Sequence, residues 1–157
     1  LWCSRKSFPL TPMLMGLIAL HALVLIIGGA YTYARVPFGF WMQDVLHLSR
    51  NPYDKIGHFM QGFVPALAAR EVLIRRDWVV KAGVASVLAS CVAMSISALY
   101  ELIEWWAALI LGQGADAFLG TEGGVWDTQS DMFFALIGAL MAMVFLRRIQ
   151  DEQIRRV

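Results

Sequence analysis

The run SALYELIEWWAALIL (Ser97–Leu111) is apolar enough to cross a bilayer except for two carboxylates, Glu101 and Glu104, three residues apart. A charge near the bilayer centre costs about 2.5–3.5 kcal/mol on insertion scales, so intramembrane acids face an interior or a watery cavity and need partners. Neither glutamate caps a helix. At about 1.5 Å per residue, Glu104 lies roughly 12 Å and Glu101 roughly 16 Å from Gly112, where the run ends. Ser97 continues the same polar stripe one turn inward. Three kinds of partner fit. A divalent metal ion would use a mixed histidine–carboxylate set. Lys55, Arg50 or Arg35 would form buried ion pairs. A shared or bound proton would neutralise one acid.

Two other segments offer polar residues at matching depth. In YDKIGHFMQG (Tyr53–Gly62), Asp54 and His58 are four residues apart and His58 and Gln61 three, so all share one helix face. In WDTQSDM (Trp126–Met132), Asp127 and Asp131 form an i, i+4 pair at a helix start. Each has a plain structural reading. Thr128 with Asp131 three later resembles a capping box, and an acid in a first turn is favoured by the helix dipole. Asp127 reads equally as a solvated residue before the helix. Asp54 and Lys55 read as interfacial charges, with Lys55 snorkelling. Gln61 reads as an interhelical hydrogen-bonding residue. His58 alone reads as a packed core histidine, as do His21 and His47.

The elements that carry these residues follow from composition. Of 157 residues 59% are hydrophobic and 16% charged, which marks an integral membrane protein; the net charge of +1 carries no nucleic-acid footprint. A span needs about 20 apolar residues. Four stretches meet that length: 13–34, 56–74, 82–111 and 128–146. The expected fold is therefore an all-α integral membrane protein, a four-transmembrane-helix bundle in a single membrane domain over 1–157. The amphipathic segment 36–50 is expected as a short interfacial helix between the first two spans, its aromatics at headgroup level. A Gly-rich outer loop is expected over 112–126 and a cytoplasmic tail over 147–157. Cys3 and Cys91 offer no disulfide framework and read as free thiols.

Basic residues set the direction of insertion. Ten of the thirteen lie before span one, between spans two and three, or after span four; only Arg35, Arg50 and Lys55 lie on the other side. Both ends of this chain are expected in the cytoplasm. The outer ends of spans two, three and four then bring His58 together with Glu101, Glu104, Asp127 and Asp131.

The segments RNPYDKIGHFMQGFVPALAARE, YELIEWW and GGVWDTQSDM resemble the YjdF-type family of bacterial inner-membrane proteins, in order and over nearly the whole chain. The resemblance implies an inner-membrane location, a multi-span helical fold and further hydrophobic sequence before Leu1; it implies no activity. Its matching positions are Asp54, Lys55, His58, Gly62, Glu101, Glu104, Asp127, Thr128, Gln129 and Asp131. A more distant similarity is to VanZ-type membrane proteins, in the acid-Lys-x-x-His start and a late Asp, although the tyrosine after the histidine in that group is missing here.

Three functions follow from these residues. The first is an outward-facing metal site acting on an envelope lipid or lipid-linked phosphate. In it His58, Glu101, Glu104 and Asp127 are ligands, Asp131 or Asp54 orients a ligand or acts as base, and Lys55 pairs with substrate phosphate. The second is coupled transport of protons, cations or a small solute through the glutamates. The third is a non-catalytic membrane subunit or lipid-binding scaffold whose acids are held by ion pairs. Against transport, the inner half offers only Arg70 and Glu71, which read as interfacial charges. Membrane lipids are the expected partners in each case.

Overall fold

The computed structural model describes residues 8–111 and 126–157, which are helical with no strand among them. Most of the expected outer loop, residues 112–125, lies outside the described residues, as do Cys3, Arg5 and Lys6. The helices are α1 (Pro12–Ala30), α2 (Pro37–Leu46), α3 (Tyr53–Arg75), α4 (Ala82–Leu111) and α5 (Asp127–Met141). Helix α5 continues through one π-helical turn, Ala142–Leu146, into α6 (Arg147–Ile154).

Three of these are long and apolar enough to cross a membrane: Pro12–Ala30, Ala82–Ile110 and the continuous Asp127–Ile154. The chain is thus an integral membrane protein of helical class. Helix α3 has 23 residues but carries Asp54, Lys55, Arg70, Glu71 and Arg75, which lower its hydropathy. Its position explains those charges. Helix α3 packs against α1, α4 and α5, so its polar groups face protein rather than lipid. The apolar surface of its neighbours points outward instead, with Leu23 and Ile26 of α1, Leu99 and Ile103 of α4, and Phe133 of α5 all exposed.

The core is built from small and medium side chains. Leu14, Met60, Val64 and Leu67 meet Ala93, Ala139, Ala142 and Met143. Two glycines set how closely α3 and α5 approach. A Cβ on Gly62 would fall 1.8 Å from the Ala135 carbonyl oxygen, and one on Gly138 would fall 2.1 Å from that of Phe59. Small residues at facing positions let membrane helices come into backbone contact, where dispersion is strongest.

Helix boundaries differ from the expected spans at three places. Helix α1 ends at Ala30, not Ala34, because Thr32 and Tyr33 turn left-handed and the Tyr33 N–H donates to the Gly28 carbonyl. The Tyr33 ring then lies on Gly28, where a Cβ would meet it at 2.3 Å. Within 36–50 the helix occupies Pro37–Leu46, with Pro37 in the first turn, where its missing N–H costs nothing. It stops at a left-handed His47. Phe38, Phe40 and Trp41 remain exposed. Third, within the tail expected over 147–157, residues Arg147–Ile154 are helical. Helix α6 docks on the bundle, where Gln150 is fully buried and donates to the Leu67 carbonyl.

Arg70 and Glu71 are also not interfacial charges. Arg70 is 1% and Glu71 0% exposed. Arg70 donates to Ser86 and Gln150 and pairs with Asp151 at 2.7 Å. Glu71 accepts from the Thr11 N–H and hydroxyl and from Arg75. Every charge in this network has a partner, so it clamps α1, α3, α4 and α6 together at one end of the bundle.

Candidate functional site

At the opposite end, the first turns of α3 and α5 meet the last third of α4. Asp54 and His58 stand one turn apart on α3, and His58 Nε2 lies 3.5 Å from Asp54 Oδ1. Helix α5 brings Asp131, whose Oδ2 is 3.8 Å from the same nitrogen. Asp54, His58 and Asp131 each offer one ligand atom, and these atoms lie within 4.8 Å of one another. A first-row divalent ion sits about 2.0–2.2 Å from nitrogen and oxygen donors. Two such donors on a tetrahedral ion stand about 3.4 Å apart, so the trio would hold one after drawing together by roughly an ångström at its widest pair.

The other face of the imidazole meets α4. His58 Nδ1 and Glu101 Oε1 are 3.7 Å apart, too far for a hydrogen bond. Both atoms are buried without a partner, as is the Ser97 hydroxyl one turn along α4. His58 is 3% and Glu101 6% exposed. A buried polar atom left unsatisfied costs about 1–3 kcal/mol, so this cluster is not arranged for stability alone. In metal sites the second nitrogen of a ligating histidine meets a carboxylate that sets its tautomer and ring orientation, and Glu101 is the carboxylate on that side of His58. Tyr100 braces the ring edge-on at 5.9 Å between centroids, and the Thr128 side chain bonds Glu101 from α5.

Lys55 closes the cluster on the far side. Its ammonium donates to Asp131 Oδ1 and, at 3.0 Å, to Asp127 Oδ1, and it lies 3.8 Å from Asp54. Arg50 reaches the same Asp127 oxygen at 3.0 Å. Asp131 therefore serves two groups, one oxygen toward Lys55 and the other toward His58.

The chain matches, over residues 1–152, the family described as predicted membrane protein DUF2238. The chain belongs to this family. It is also 60% identical to the inner membrane protein YjdF of Escherichia coli (strain K12) over 156 residues, 99% of this chain and 75% of that relative. The inner-membrane location and the YjdF-type resemblance stand on these matches. No solved structure matches the chain.

The residues singled out in the sequence separate within this family fold. Asp54, His58, Glu101 and Asp131 come together, with Lys55 beside them. Glu104 is only partly buried and Asp127 faces the two cations, so neither belongs to the three-residue group. The capping-box reading of Thr128 and Asp131 does not hold. Trp126 occupies the N-cap, no side chain caps it, and Asp131 lies 3% exposed against Lys55. Asp127 is the first helical residue rather than a solvated one before it. Arg35 is exposed and takes no part in the cluster.

Two contributions were not legible. Tyr33 and His21 line a cavity of about 200 Å³ beside Asp54 and His58, together with Tyr100 and Gln61. His21 was read as core, and its Nε2 is buried without a partner there. Tyr33 carried no signal, because only the left-handed turn after α1 swings it back over the bundle. Burial and the nearby Asp54 carboxylate raise the Tyr33 phenol above its ordinary value, so it stays a neutral hydroxyl.

Proposed function

We propose that this protein is a four-span inner-membrane enzyme whose Asp54, His58 and Asp131 hold a divalent metal ion and act on a phosphorylated envelope lipid. Helix α3 is the additional span, its charges sheltered by α1, α4 and α5. Both ends of this chain lie in the cytoplasm, since ten of its thirteen basic residues fall on that side. The cluster then faces the outer leaflet. The observation that carries the reading is His58, with two carboxylates within 3.8 Å of Nε2 and the unpartnered Oε1 of Glu101 facing Nδ1.

The roles divide among the chain's own groups. Asp54 and Asp131 supply oxygen ligands and His58 supplies Nε2. Glu101 becomes an orienting residue that accepts a hydrogen bond from the Nδ1–H, rather than a ligand. Lys55 holds Asp131 in place and offers its charge to a phosphate. A metal ion there would polarise a phosphoryl oxygen or acidify a water molecule. Elemental analysis of purified protein from metal-replete cells tests this. Stoichiometric metal is expected, and its loss in Asp54→Asn and Asp131→Asn. Metal-free protein would sink the reading.

A second reading keeps one specific observation in its favour: Lys55 lies between Asp127 and Asp131, with Arg50 on Asp127, as in a structural ion-pair network. It makes the protein a non-catalytic subunit, and it predicts that exchanging Lys55 and Asp131 preserves stability. Coupled transport is less well supported. No observation of comparable weight favours it, and the packed core between the polar cluster and the Arg70–Glu71 network is built from Met60, Val64, Leu67, Ala93 and Ala139.

A further inference from the structure

Two cavities flank α3 at the level of the polar cluster, and they differ in charge. The one beside Tyr33 and Tyr100 is lined by Asp54, His58 and His21, with no lysine or arginine among its described lining residues. The other, of about 460 Å³, lies between α2, α3 and α5. Its walls are Leu46, Leu48, Ile56, Phe59 and Phe134, and the charged residues among its described lining are Arg50 and Lys55. That volume lies within the usual range for a ligand pocket, about 300–1,000 Å³. Hydrocarbon walls ending at two cations match an amphiphile with an anionic head.

The ammonium of Lys55 has a donor to spare for such a head. It carries three N–H groups, of which Asp127 and Asp131 take two, and Asp54 at 3.8 Å is beyond hydrogen-bond reach. Helix α2 roofs the cleft and exposes Phe38, Phe40 and Trp41, so its mouth lies where lipid headgroups lie. Phe59 sits one turn beyond Lys55 on α3, so a chain entering beside Phe59 leaves its head at the ammonium.

The geometry points to this cleft as the binding site for an outer-leaflet phospholipid, one acyl chain between α2 and Phe134 and its phosphate on Lys55. The inference rests on the proposed function, because it delivers that phosphate to the face of Asp131 that Lys55 occupies. Substrate thus approaches from the α2 side of α3, where Lys55 stands.

The test uses the full chain in nanodiscs with trace phosphatidic acid carrying a photoreactive diazirine in its acyl chain, beside the matched diazirine diacylglycerol. Phosphatidic acid should label peptides holding Leu46, Leu48, Phe59 and Phe134, and unlabelled phosphatidic acid should compete while diacylglycerol does not. Ile56→Trp, which fills the cleft, should abolish the labelling; Leu48→Trp does so from the loop if that variant fails to fold. Lys55→Met should weaken phosphatidic-acid labelling about tenfold, the size of one lost charge-assisted hydrogen bond, and leave diacylglycerol unaffected. Equal labelling by both lipids would mean ordinary annular contact and overturn the inference. Metal content measured on the same samples separates the two proposals. Phosphate-dependent labelling of metal-free protein supports the cleft and removes the enzyme reading, whereas metal-loaded protein with phosphate-blind labelling removes the cleft alone.

Discussion

Gly62 lies one turn beyond His58 on α3, and Ala135 one turn beyond Asp131 on α5, so their contact sets the spacing of the two site residues. In Gly62→Ala the new Cβ would sit 1.8 Å from the Ala135 carbonyl oxygen, against a floor of 3.0 Å for real contacts. The helices must therefore separate by at least the difference, 1.2 Å. Neither side can yield by rotating a flexible side chain, because the obstacle is backbone. Overpacking of a tight interior typically costs about 1–3 kcal/mol, and backbone against methyl belongs at the upper end. The separation acts about 6 Å from the His58–Asp131 contact, at roughly 1.5 Å per residue along the helix. It should widen the 3.8 Å gap between Nε2 and Oδ2 to nearly 5 Å (3.8 plus 1.2), beyond what one ion spans. Gly83→Ala is the control, since nothing lies within 4 Å of its Cβ position. Thermal unfolding in detergent should show Gly62→Ala well below the parent and Gly83→Ala level with it, and bound metal should fall only in the first. Equal stability of the two variants would refute the close approach of α3 and α5, and with it the geometry of the site.

Glu101→Gln should retain metal but bind it about 10–100-fold more weakly, the usual consequence of losing a residue that orients a ligand; competition with a chelator measures this, and an unchanged affinity would mean Glu101 does not act through His58. Glu71→Gln removes the charge that holds Thr11 and Arg75 in a fully buried setting. Breaking one partner of such a pair costs about 3–5 kcal/mol, read as a large drop in unfolding temperature with no effect on metal stoichiometry. Gly39→Ala would drive a methyl to 1.7 Å from Asn51 Oδ1, the atom that accepts from the Tyr53 N–H. Protease protection of α2 should fall, because the Asn51 link to Val36 is lost with it. A cysteine at Trp41 should react with an impermeant reagent added to intact spheroplasts and one at Arg156 should not; the reverse pattern would invert the proposed orientation.

What this sequence determined alone is membrane residence, helical class and the polar set, since these depend on local composition and on periodicity along one helix. Apolar length made α1, α4 and α5 visible as candidate spans, and the spacing of Asp54, His58 and Gln61 put them on one face before any packing was known. Which residues meet across helices depends on rotation and depth, and those come from long-range packing. Gly62 against Ala135 and Gly138 against Phe59 decide how closely α3 and α5 approach. That approach selects Asp131 over Asp127 and Glu101 over Glu104 as neighbours of His58. The burial of Arg70 and Glu71 was hidden for the same reason. A charge near a span's end reads as interfacial until α6 folds back to bury it, and only the tertiary fold returns Gln150 and Asp151 to that spot.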